Sequence, residues 1–120
     1  MRQQKILAML PGDGSQAVVR KRDVSMLDLS ALTAQTGDEF AMFTRRGERL
    51  IVRGNAKRIP LGLNELKELS VEGYRWSGHT HPGTTEAQLM ASDGDRKTLG
   101  VFEQSRSVVY NAVGKFRLVE

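Results

Sequence analysis

The sequence predicts a mixed α/β (α+β) domain: a central mixed β-sheet flanked by helices. Three observations carry this. Glu39–Thr44 and Arg49–Arg53 are short apolar-rich runs joined by Arg46-Gly47-Glu48, the pattern of a hairpin. Segments with apolar residues at helical spacing, Leu29/Leu32 and Leu63/Leu66/Leu69, alternate with such runs. The length of 120 residues, 39% of them apolar, suits one domain with a real core, here taken as residues 1–120.

Taken in order, Ile6–Leu10 reads as a short first strand, and Pro11-Gly12-Asp13-Gly14-Ser15 as a turn. Ala17-Val18-Val19 reads as a second strand. Ser25 is placed to cap a helix that Gly37 stops. The hairpin follows, then a connection over 55–60 and an amphipathic helix ending near Gly73. Tyr74–His81 reads as a strand, ended by Pro82, which cannot donate to a ladder. Residues 84–91 suit a loop or a single helical turn. Ser92 is placed to cap a helix running to about Gln104. Ser107–Tyr110 and Lys115–Val119 suit a closing hairpin around Ala112-Val113-Gly114.

Composition narrows the chemistry. There is no cysteine, so disulfides, thiolate metal sites and cysteine nucleophiles are excluded. No apolar run approaches a membrane span, and the one at Ile6–Leu10 is too short for a signal peptide. The expectation is a cytoplasmic chain, or one exported within a larger effector, with no membrane partner. The net charge of +4 is clustered at Arg20-Lys21-Arg22, Arg45-Arg46 and Lys57-Arg58. Such clusters steer acidic partners. Without interleaved aromatics they read as solvated turns, and nucleic acid is not the expected partner.

The chemistry concentrates at Trp76-Ser77-Gly78-His79-Thr80-His81-Pro82. Its two histidines are the only ones in the chain. On a strand, residues i and i+2 share a face, so both imidazoles project together, about 6–7 Å apart at Cα. They can converge on one metal ion. By the same alternation Tyr74 and Trp76 fall on the opposite face, as core. Ser92-Asp93-Gly94-Asp95 follows. Ser-x-x-Asp is a helix-opening pattern, as in Ser25-x-x-Asp28. On a helix, however, Asp95 shares a face with Leu99 and Phe102 and so points inward. A buried carboxylate needs a partner, and a cation provides one. Two histidines and a carboxylate form a known catalytic zinc set.

Together these residues resemble the JAMM family of zinc-dependent peptidases and isopeptidases (MPN-plus/JAB). Its signature is an upstream glutamate, then His-x-His-Pro, then Ser-x-x-Asp. Here that reads Glu39, His79-Thr80-His81-Pro82 and Ser92-Asp93-Gly94-Asp95, and the resemblance is strongest over residues 25–119. The spacing departs from the family: ten residues separate His81 from Ser92 where about seven are usual. That leaves Asp93 as an alternative ligand, although Asp95 keeps the Ser-x-x-Asp spacing.

The resemblance implies a cytidine-deaminase-like, JAB/MPN-type fold and Zn2+ held by His79, His81 and Asp95. Zinc acidifies water at its open position and polarises the scissile carbonyl. Glu39 is then the general base, with Glu48 in the hairpin turn as runner-up, and Ser92 stabilises the oxyanion. The substrate implied is a protein or peptide, such as a ubiquitin-like protein or a cell-wall peptide. Two alternatives belong to other classes: a catalytically inactive MPN-like binding module, and another metal-assisted hydrolase acting on a different bond.

Overall fold

A six-stranded sheet divides the molecule into two apolar layers. The computed structural model describes residues 2–83, 93–111 and 115–119. Its elements are α1 (Arg2–Ala8), β1 (Gln16–Arg20), a 3-10 turn (Lys21–Asp23), α2 (Met26–Thr36), β2 (Phe40–Arg45), β3 (Glu48–Arg53), α3 (Leu63–Val71), β4 (Arg75–Thr80), α4 (Asp93–Val101), β5 (Arg106–Tyr110) and β6 (Lys115–Val119). The strand order is β1-β3-β2-β4-β5-β6. All neighbours are antiparallel except β4 and β5, the parallel pair joined through the segment that contains α4. This is the α+β domain with a mixed, helix-flanked sheet that the sequence predicts.

One layer packs α1 and α2 on the sheet through Ile6, Leu10, Leu29, Leu32, Phe40 and Ile51. The other packs α3 and α4 through Phe43, Leu66, Tyr74, Trp76, Leu99 and Phe102. Neighbouring residues of β2 serve opposite layers, Phe40 and Met42 the first, Ala41 and Phe43 the second.

The helix boundaries follow local chemistry. Ser25 Oγ accepts the Asp28 N–H while Asp28 Oδ2 accepts the Ser25 N–H, a reciprocal capping box. Gly37 ends α2 at φ 79°, and its N–H donates to the Thr33 carbonyl. Glu65 reaches back to the Gly62 N–H at the start of α3.

The strand expected at Ile6–Leu10 is instead the end of α1. Arg2, Gln3, Gln4 and Lys5 are straight-chain helix formers. Ile6 and Leu10 are buried at i and i+4 spacing, whereas Met9 between them is 43% exposed. Arg2 and Gln3 both donate to the Asp28 carboxylate at 2.8 Å, which ties α1 to the cap of α2. Residues 84–91, where the sequence suits a loop or a single helical turn, and the turn around Ala112-Val113-Gly114 lie outside the described residues.

Candidate metal centre

Three segments converge beside the α3/α4 layer: the start of β2, the end of β4 and the first turns of α4. β4 ends at Thr80, but the His81 N–H still donates to the Tyr110 carbonyl at 2.9 Å, so the extended path continues. The two rings meet edge to face, with their Nε2 atoms 3.0 Å apart. Asp95, near the start of α4, places Oδ1 3.0 Å from His79 Nε2 and Oδ2 3.4 Å from His81 Nε2. Glu39, immediately before β2, offers a carboxylate oxygen within 4.8 Å of ligand nitrogens of both histidines. The buried Glu39, His79 and His81 group can thus hold a metal ion.

The donor set passes a geometric test. Ligands about 2.0–2.2 Å from a tetrahedral zinc lie roughly 3.3–3.6 Å from one another. The two Nε2 atoms are 3.0 Å apart, and each has a different Asp95 oxygen near it, Oδ1 at 3.0 Å from His79 and Oδ2 at 3.4 Å from His81, spacings close to that range. The two Nε2 atoms face each other and the Asp95 carboxylate. A cation at their centre satisfies them together.

Electrostatics point the same way. Burial pushes the His79 imidazole below its usual range, and Asp95, which favours the charged form, only partly offsets this. A neutral ring is the ligating form. His79 Nδ1 is buried with no hydrogen-bond partner among the described residues, unlike most metal-bound histidines, whose second nitrogen is held by an acceptor. Burial, with a smaller push from Asp95 and against a pull from His81, raises the Glu39 carboxyl to about 7.

One expectation is overturned on β4. Ala41 pairs with His79 and Met42 with Gly78, but Phe43 pairs with Trp76, so Ser77 is an extra residue, a β-bulge. The bulge shifts the alternation by one. Trp76 and Tyr74 therefore share the histidines' side of the sheet, and the Trp76 ring stacks on His79 with centroids 5.0 Å apart. Both are core residues as expected, at 4% and 7% exposure, but on the face of the site and not behind it.

Two contributions have no signature in the sequence pattern. The Gln104 side chain accepts from the Trp76 N–H at 2.6 Å and donates to its carbonyl at 2.8 Å. It replaces a strand partner where β5 does not pair, since the β4–β5 register covers only His79 and Thr80. Gly78 has no room for a side chain: a Cβ would lie 2.8 Å from the Val108 carbonyl oxygen and 3.2 Å from Met26 Sδ.

The four acidic and imidazole groups open onto a cleft of about 540 Å3, with Ala41, Phe43, Leu66 and Trp76 among its lining. Glu48, the alternative base, is elsewhere, at the start of β3, exposed and 3.4 Å from Arg45. Ser92 and the side chain of Asp93 lie outside the described residues.

No family model, no curated protein and no solved structure matches the chain. No helix among the described residues is long and apolar enough to cross a membrane.

Proposed function

We propose that this chain is a zinc-dependent hydrolase of peptide or isopeptide bonds, of the JAMM type, with a JAB/MPN-like fold. The observation that carries the reading is the triangle of His79 Nε2, His81 Nε2 and the Asp95 carboxylate, with Glu39 beside it at the cleft. The order of elements supports it as well: helix, glutamate-bearing hairpin, helix, histidine strand, helix, closing hairpin.

Bound zinc supplies Lewis acidity, polarising a carbonyl and acidifying water. The rest falls to the chain's own residues. Glu39, beside both histidines at the cleft, is placed to accept a proton from the attacking water and to return it to the leaving amine. The apolar part of the cleft, Phe43, Leu66 and Trp76, holds the substrate flank and keeps bulk water away. Asp95 orients both imidazoles from a helix packed on the core through Leu99 and Phe102.

The test is zinc uptake followed by hydrolysis of a mixed peptide library. The untagged protein is expected to bind about one zinc per chain. His81→Ala should lose tight binding, and Asp95→Asn should weaken it. Glu39→Gln should keep zinc and lose roughly 10²-fold or more in turnover, the usual contribution of a positioned acid–base group. A protein that takes up no zinc sinks the reading. Loss of zinc in Glu39→Gln would make Glu39 a ligand and remove it as the base.

A further inference from the structure

The turn between β3 and α3 is built around the candidate base. The Glu39 N–H donates to the Asn55 carbonyl at 2.9 Å, and the Gly54 N–H donates to the Glu39 carbonyl at 2.8 Å. Asn55 Oδ1 accepts from the N–H groups of both Lys57 and Arg58, at 2.8 and 3.1 Å, and the Asn55 N–H donates to the Arg58 carbonyl. The loop is so tight that a Cβ on Gly54 would lie 2.2 Å from the Arg58 carbonyl oxygen. An Asx-turn thus presents two consecutive cations from a rigid base.

Lys57 and Arg58 line the same cleft as Glu39, His79 and Trp76. Both are exposed, and neither side chain forms an ion pair or hydrogen bond among the described residues. Arg2, Arg45 and Arg53 pair with carboxylates, and Lys57 and Arg58 are the two cations among the described residues that line this cleft. The cleft thus has an acidic and imidazole end, an apolar lining and an unpaired basic turn.

We infer that the Lys57–Arg58 turn is a substrate-carboxylate subsite, so that the cleft selects an apolar residue accompanied by a negative charge. This rests on the hydrolase reading of the same cleft. The carboxylate is either a free C-terminus or an acidic side chain; both offer two oxygens to an ammonium and a guanidinium. The apolar preference follows from Phe43, Leu66, Ile59 and Trp76 on the lining.

Trp76 is the only tryptophan, so its fluorescence reports occupancy of the cleft directly. Three probes are titrated into the full chain, stripped of metal so that no probe can ligate zinc. They are N-acetyl-leucine, N-acetyl-leucinamide, and N-acetyl-leucyl-glutamate with an amidated C-terminus. At low salt a charged probe is expected to bind roughly three- to tenfold more tightly than the neutral amide. Preference for the first probe identifies a free C-terminal carboxylate, and preference for the third an acidic side chain. In Lys57→Gln/Arg58→Gln, two exposed positions, the preference should vanish while leucinamide binding is unchanged. Equal binding of all three probes to the unaltered chain overturns the inference, as does a preference that survives in the double variant. Zinc uptake by both proteins judges the metal reading separately: uptake without a carboxylate preference removes only the subsite.

Discussion

Glu39 carries a carboxyl into a place where ionisation is costly, and this has a measurable consequence in the metal-free protein. Its folded-state value is about 7 against 4.5 for the ordinary group, raised chiefly by burial. Between those two values the unfolded chain has lost the proton and the folded chain has kept it. The folded state then binds more protons, so stability falls as pH rises through this window. Glutamine cannot titrate. The stability of the unaltered protein minus that of Glu39→Gln is therefore expected to fall from pH 4.5 to pH 7, by on the order of 3 kcal/mol. Urea unfolding of both proteins in chelator, at several pH values, checks this. A flat difference would mean that Glu39 is solvated.

The extra residue in β4 decides which side chains surround the site. Gly78, next to Ser77, lets the strand pass under Met26 and against Val108. Gly78→Ala is expected to cost about 1–3 kcal/mol, the usual range for overpacking a tight site. Gly100→Ala on α4 has open space around its Cβ and should stabilise by up to about 1 kcal/mol through helix propensity. Denaturant midpoints of the two variants should thus move in opposite directions. Much of this architecture was legible beforehand, because the β2–β3 hairpin, the Ser25 cap and the Gly37 stop are signals written locally. The bulge was not, since two residues oppose one only when the partner strand is known. Nor could Ser-x-x-Asp reveal its use by itself: Asp28 closes a cap and binds Arg2, whereas Asp95 turns to two histidines. Lys57 and Arg58 read as an ordinary solvated turn, and only the backbone bonds to Glu39 bring them to the cleft.

At the scale of the molecule, the candidate ligands tie β4 to α4, and Glu39 adds the start of β2. A metal bound to the folded chain alone stabilises by RT ln(1 + [L]/Kd), about 2.7 kcal/mol at a hundredfold excess over Kd. Zinc is therefore expected to raise the melting temperature of the unaltered protein, a chelator to reverse the rise, and Asp95→Asn to lose most of it. Calorimetry with and without zinc gives the answer; an unchanged transition would argue against a native-state site. The size of that rise depends on how the ligands are spread along the chain. His79 and His81 are a single residue apart, so they form a chelating pair in any extended peptide, folded or not. Glu39 and Asp95 come from distant stretches and join only when the sheet and α4 are in place. The denatured ensemble would thus compete for the same ion with two of the three proposed ligands. At high zinc the measured stabilisation would then understate the affinity of the folded centre, and zinc added during refolding would meet the histidine pair before the fold that brings Asp95 to it.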